Sequence, residues 1–312
     1  MSGLNWAKRA IVAKTETTYD TDSLPADTDG IITYNMEINP LQGDVQDDDV
    51  LPGGLLGGAA KFVINKSVSL DFEIDLVGHA TPGTVPVNSP IYRACSFSET
   101  VVALTSVAYS LVSEAEESCT IYFYLDGHQH KVTGCKGNAS YSIAPDGKLR
   151  LKCSMVGTYV APTAVAFPTV DFGAFQKPLT TGPATIQNFL LHGWTGDVRS
   201  IEFDSGNDIQ NDVLLTKRES VLAGRASSGS IVLENPDFAS KNWFDAIAAD
   251  DVGGMSFDVN EGAGRICSIS HPQVQLLEPK YGSEKNKATL SANLNIFPDR
   301  TNSLSEFTFT FT

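Results

Sequence analysis

Ser67-Val-Ser-Leu-Asp-Phe-Glu-Ile-Asp-Leu76 alternates apolar and polar residues along its whole length. Val68, Leu70, Phe72, Ile74 and Leu76 fall on one side and Ser67, Ser69, Asp71, Glu73 and Asp75 on the other, which is the period of two of a half-buried strand. The apolar side requires a core. The acidic side requires water, because unpaired carboxylates cost several kcal/mol each when buried.

The 312 residues, 42% of them hydrophobic, are enough to bury a full core, and a usual domain size of about 150 residues divides the chain into two. Lys and Arg number 22 against 37 Asp and Glu, a formal charge of −15. This argues against a surface that grips nucleic acid, since such affinity comes mainly from cations at phosphates. It is compatible with a surface that avoids gripping it. No run approaches the ~18 apolar residues of a membrane span, and Met1–Arg9 lacks the apolar core and cleavage site of a secretory signal, which predicts cytoplasmic synthesis and no membrane partner. Cys95, Cys119, Cys135, Cys153 and Cys267 are an odd set without a CxxC pair and read as reduced core thiols.

Working outward, residues 1–29 mix Thr, Asp and Pro without a sustained period and read as an extended N-terminal arm. Alternation begins at Gly30 and ends at Asn39, where Pro40 removes a ladder donor. Asp44, Asp47, Asp48 and Asp49 then lead into a Gly-rich loop whose Leu51, Leu55 and Leu56 are apolar at an exposed tip, a pattern that predicts a contact arm. Pro90-Ile-Tyr-Arg-Ala-Cys95 reads as a short helix with Ser89 as N-cap and Pro90 at its first position. Strands follow at 118–125, 131–137, 139–144 and 148–156, separated by the Asp126-Gly127 and Asp146-Gly147 turns.

The composition shifts to Pro, Ala, Thr and Gly near 162–183, so the expected division is a first domain at 30–165, a linker at 166–183 and a second domain at 184–312. The second domain repeats the first. Ser200-Ile-Glu-Phe-Asp204 answers Asn35-Met-Glu-Ile-Asn39, placing Glu202 on Glu37. Ser228–Glu234 answers Ser67–Glu73, and Asn242–Ala248 answers the first helix. Strands are expected at 264–270, 273–278 and 287–297, and the last residues, Glu306–Thr312, alternate once more and are free to pair with this chain or a neighbour.

Chemistry is sparse. His128-Gln-His130 decorates a hairpin tip more readily than it forms a metal half-site, and Asp44–Asp49 lacks the glycine and terminal glutamate of a calcium loop. Asp71, Glu73 and Asp75 are evenly repeated with no aromatic cleft beside them, unlike a glycosidase pair. No phosphate-binding glycine motif or nucleophile elbow is present, so no enzyme and no cofactor are expected.

Lys14-Thr-Glu-Thr-Thr-Tyr-Asp-Thr-Asp22 with Pro25, Ile38-Asn-Pro-Leu-Gln-Gly-Asp44, the Gly-rich loop before Ser67–Leu76, the Pro90–Cys95 helix, Thr120-Ile-Tyr-Phe-Tyr-Leu-Asp-Gly127 and Gly157-Thr-Tyr-Val-Ala-Pro162 together resemble the major tail (tail tube) proteins of tailed bacteriophages, the long non-contractile type being favoured. The resemblance implies an all-β fold with short flanking helices: tandem tail-tube-like β-sandwich domains whose inner sheets join into a ring-shaped barrel. It implies a structural virion protein, assembled in the host bacterial cytoplasm, whose stacked rings form the channel for genome delivery. Partners implied are other copies of the chain, the tape-measure protein, the tail terminator and distal tail proteins, while double-stranded DNA passes through without specific binding. Two domains per chain lead to an expected homotrimeric, pseudo-hexameric ring. Glu37, Asp71, Glu73, Asp75, Glu202, Asp204 and Glu234 are expected to line the lumen, and Asp44–Asp49 with Leu51, Leu55 and Leu56 to contact the next ring. The alternative from another class is a secreted or surface two-domain carbohydrate-binding or adhesin module.

Overall fold

Strand 67–76 forms as its pattern demands: Val68, Leu70, Phe72, Ile74 and Leu76 are all buried. The computed structural model describes residues 3–48, 59–302 and 305–312, and among these the chain is nearly all β. Its first part comprises β1 (Arg9–Thr15), β2 (Gly30–Ile31), β3 (Tyr34–Asp47), β4 (Lys61–Asp75), α1 (Ser89–Ala94), β5 (Phe97–Val102), β6 (Ser106–Leu111), β7 (Cys119–Leu125), β8 (His128–Ile143), β9 (Gly147–Lys148), β10 (Arg150–Tyr159) and β11 (Thr163–Ala164). There follow β12 (Thr180–Thr181), β13 (Ile186–Leu191), β14 (Val198–Asp204), β15 (Asn207–Val213), β16 (Arg218–Arg225), β17 (Ser228–Glu234), α2 (Trp243–Ala248), β18 (Val252–Asn260), β19 (Ile266–Glu284), β20 (Lys287–Ile296) and β21 (Thr308–Phe311).

Antiparallel pairing carries one continuous sheet through β3, β4, β10, β8, β14, β17, β20 and β19 in that spatial order. The first four strands and the last four follow the same scheme. Glu37 opposes Asp71, which opposes Ser154, and Glu202 opposes Ser230, which opposes Asn293. Ser230 therefore stands where Asp71 does, and Glu234 where Asp75 does. Strand 228–234 is displaced by two residues from its sequence match with 67–73, a slip that leaves every side chain on its own face and so cannot be detected from alternation alone.

A second group of strands packs on the apolar side: β1 with β7 and β8, β13 with β18 and β19, and β5 with β6, β21 and β19. One buried cluster runs through both groups, from Ile11 and Phe72 to Phe257 and Leu294. β8 and β19 belong to both groups, which is why strands expected separately at 131–137 and 139–144, and at 264–270 and 273–278, are each a single long strand. In β19 the register against β18 shifts between His271 and Val274 and breaks the alternation there, while in β8 residues 132–137 are buried on both faces and alternation begins only at Asn138. The C-terminal strand β21 pairs within this chain, between β6 and β19. Among the described residues the sheet closes no barrel on itself; one chain leaves it open.

Other departures have local causes. The expected N-terminal arm contains β1, paired along its length with β7. Ile11 and Ala13 enter the main core while Val12 joins a small cluster with Tyr122 and Tyr124, so the run is apolar on both faces and carries no period of two. β3 continues through Pro40 to Asp47 because, among the described residues, β4 is its one ladder partner, and a proline is tolerated on a free edge. Helix α1 starts at Ser89 with Asn88 in the cap position, but the Asn88 amide is buried and donates to the Asp75 carbonyl at 2.9 Å instead of capping.

Candidate functional site

β10 alternates as strictly as β4: Leu151, Cys153 and Met155 are buried, which turns Arg150, Lys152 and Ser154 to the other side. Cross-strand register places these three opposite Asp75, Glu73 and Asp71. The polar face of the sheet is therefore shared by acids, cations and hydroxyls. One row across it reads Glu73, Lys152, Ser140, Asp204, Ser228 and Asn295. The next contains Ser142, Glu202, Ser230 and Asn293. Glu73, Lys152, Ser140, Glu202 and Asp204 line an open hollow of about 770 Å³ on this face.

The carboxylates expected as a bare acidic row are thus largely compensated. The Ser154 hydroxyl donates to Asp71 at 2.6 Å, and the Asn35 amide donates to Glu73 at 2.9 Å. Arg150 bridges Glu73 at 3.2 Å and Asp75 at 3.1 Å, with its guanidinium stacked 3.7 Å from the Tyr34 ring centroid. Asp75 also accepts from the Tyr34 hydroxyl at 2.9 Å and is 7% exposed, too enclosed to face open water. Asp204 accepts from the Asn138 amide at 2.7 Å, and Glu202 from the Ser230 hydroxyl at 2.9 Å. Glu234 meets Arg199 at 3.0 Å and Lys287 at 2.9 Å, and its hydrogen bonds from Lys287 hold its carboxyl below the usual range. Glu37 is exposed on the free edge, directly opposite Asp71. The sequence contains the signal for this compensation in the alternation of 148–156; which charges meet across strands is set by register.

Beyond Asn39, β3 and β4 form an exposed ribbon in which Asn65 donates to Asp44 at 2.6 Å and Lys61 meets Asp47 at 3.0 Å. Leu41, Val45, Phe62 and Val63 are exposed on it, and Asp48 follows, also exposed. Asp49, Leu51, Leu55 and Leu56 lie outside the described residues. The polar stretch after Asp204 forms the hairpin β15–β16, which folds back on the first part of the chain. Asn207 donates to the Cys95 and Gly137 carbonyls, both at 3.1 Å, and Arg218 to the Lys66 carbonyl at 2.8 Å.

The joint between the two four-strand sets is buried. Ile201–Asp204 of β14 pairs with Ser140–Ile143 of β8. Beneath it the Tyr141 hydroxyl donates to His271 Nε2 at 2.7 Å, while His271 Nδ1–H donates to the Glu306 carbonyl at 3.1 Å. Stacked on Phe307 and 0% exposed, His271 is held neutral, its pKa pushed by burial down to about 3.

The sheet order, the two unlike open edges and the polar face coincide with a family match over nearly the whole chain: the model of the phage tail tube protein family covers residues 6–311. The chain belongs to the phage tail tube protein family. It is accordingly a structural component of the virion tail, and self-assembly into the tube goes with that family. Among curated proteins none matches the sequence. No helix among the described residues is long and apolar enough to cross a membrane.

Proposed function

We propose that this tail tube protein assembles as rings of three chains, each contributing two tube-like units at about 30–165 and 184–312, and that the rings stack into a hollow tube through which the genome passes. The observation that carries this reading is the continuous sheet with unlike free edges, β3 at one end and the latter half of β19 at the other. Unlike edges favour a head-to-tail contact, which yields closed rings when the rotation permits. Three sheets of this kind would close roughly twenty-four strands, well past the ~16–18 that already leave an aqueous channel.

The polar face would line the bore. Arg150 is occupied by Glu73 and Asp75 and Lys287 by Glu234, Lys152 stands opposite Glu73 without an ion pair among the described residues, and much of the remainder is Ser and Asn. Such a wall offers few sites for counterion release at phosphates, and Glu37 and Glu202 add repulsion within a Debye length of about 8 Å. The ribbon at 40–47 and 61–67 and the loop it carries would reach the adjacent ring, where its exposed apolar residues find cover. Assembly would take place in the host cytoplasm, with the tape-measure, terminator and distal tail proteins as partners.

Electron microscopy of the purified protein tests this: hollow filaments built of rings with the mass of three chains are expected, and rings of six full-length chains, or protein that stays monomeric, would overturn it. Deleting Leu51–Gly58 should leave folded subunits that form no long tubes, whereas normal tubes from that variant would remove the loop from the contact.

A further inference from the structure

Among the described residues the two end strands, β3 and the latter half of β19, each leave one edge of the continuous sheet unpaired, and the β8–β14 joint supplies a template for what those ends bind. At that joint β14 pairs with β8 in a fixed register: Ile201 with Ile143, Glu202 with Ser142, Phe203 with Tyr141 and Asp204 with Ser140. The ladders identify the counterpart of each strand. Lys152 of β10 opposes Ser140, and Ser291 of β20 opposes Lys280, so Lys280 on β19 stands where Ser140 stands on β8. One extra residue at Glu278-Pro279 is absorbed by the irregularity between Leu277 and Lys280. Tyr281 then matches Tyr141, Gly282 matches Ser142 and Ser283 matches Ile143. On the other side of the joint, β3 is the counterpart of β14, with Glu37 in the place of Glu202.

From this equivalence we infer that the edge of β19 at Lys280–Ser283 in one copy of the chain accepts the edge of β3 at Met36–Asn39 in the next, antiparallel, with Met36 opposite Ser283, Glu37 opposite Gly282, Ile38 opposite Tyr281 and Asn39 opposite Lys280. The occupant is a second copy of this chain. Surface and charge agree with it. Residues 280–288 are exposed throughout, and Tyr281 is 63% exposed although its counterpart Tyr141 is 3% exposed beneath β14. Lys280 would sit beside Glu37, whose directly opposed neighbour within its own chain is the like-charged Asp71. A bare edge of this length invites strand addition, and the arriving strand satisfies its backbone groups.

The inference rests on the self-assembly reading above, and cross-linking tests its register separately. Directly opposed residues have Cα atoms about 4.5–5.5 Å apart, inside the ~4.4–6.8 Å range of a disulfide, whereas a displacement of two residues along the strand falls outside it. The five native cysteines are buried and give little background. The full-length double variant Asn39→Cys with Lys280→Cys, oxidised after assembly, should give reducible covalent dimers and trimers on a denaturing gel. The displaced pair Glu37→Cys with Lys280→Cys should give at least tenfold less. Tubes that form normally while the first pair stays unlinked, or the displaced pair links better, would overturn the register and leave the tube reading intact. Wild-type protein that never self-associates would overturn both. As a second measurement, Lys280→Glu should weaken self-association about tenfold in sedimentation, and Glu37→Lys in the same chain should restore it. Self-association unchanged by Lys280→Glu would also overturn the proposed contact.

Discussion

Tyr141 on β8 and Tyr281 on β19 occupy the same place in two similarly ordered sets of four strands, yet one is 3% and the other 63% exposed. The first lies under β14, packed 5.3 Å from Phe203 and 5.6 Å from Phe307 between ring centroids. The second has Phe244 at 5.2 Å and a free strand edge beside it. The same local chemistry is core at the inner joint and surface at the end of the sheet. An edge that is open where its counterpart is filled offers its backbone groups to an arriving strand, and β14 supplies, through Phe203, part of the cover that Tyr141 has and Tyr281 lacks, with Phe307 and His271 supplying the rest.

The largest effect should separate these two residues directly. Tyr141→Ala should cost about 3–5 kcal/mol in urea unfolding, the range for emptying a large buried aromatic position. Tyr281→Ala should stay within about 0.5 kcal/mol as a monomer, as exposed substitutions do, while reducing self-association. Equal losses in the two monomers would erase the contrast between joint and edge.

The inner joint also carries a pH dependence. His271 titrates at 6.5 when unfolded and is pushed down to about 3 by burial in the folded chain. The unfolded state takes up the proton first, so stability is full above about pH 6.5 and falls as pH drops towards 3, by roughly 1.4 kcal/mol per pH unit over most of that window. Urea midpoints between pH 6.5 and 4.5 should decline in the wild type, and this part of the slope should be missing in His271→Gln. An unchanged slope in the variant would remove His271 as its source.

A third effect compares the two arrangements at the same strand position, Asp75 and Glu234. Arg150→Ala strands the enclosed Asp75 and should cost about 2 kcal/mol, short of the ~3–5 of a fully buried pair. Lys287→Ala, at an exposed pair, should cost far less than Arg150→Ala, because solvent screens the pair. Unfolding of the two variants side by side measures the difference. The smallest effect is at the free edge: Glu37→Gln should stabilise the isolated chain by about 0.3 kcal/mol by relieving the opposition to Asp71. A loss of stability instead would mean that Glu37 already has a favourable partner within the chain.

Much of the fold was legible because strand alternation survives wherever one face is buried and the other wet. β4 and β20 follow directly from it, whereas β7, buried on both faces, is legible from its run of β-branched and aromatic residues ahead of the Asp126-Gly127 turn. β1 escaped because Ile11, Val12 and Ala13 are buried on both faces; β8 was cut in two where burial on both faces gives way to one at Asn138, and β19 where its register against β18 shifts between His271 and Val274. The acidic row of Asp71, Glu73 and Asp75 was legible as a face, but its compensation by Ser154, Asn35 and Arg150 depends on which strand lies beside it and in which register. A slip of two residues would preserve every pattern in the sequence and change every charge pair.

That this chain is built of half-buried strands with a polar face rich in carboxylates follows from the residues alone, because a period of two is written residue by residue. Tertiary structure alone decided that Arg150 neutralises Asp75, that β21 returns to this chain, and that one four-strand set is capped by β14 while the other ends bare at β19. Those are matters of which backbone edge meets which. Backbone hydrogen-bonding groups are alike at every residue, so only the folded chain selects among the edges.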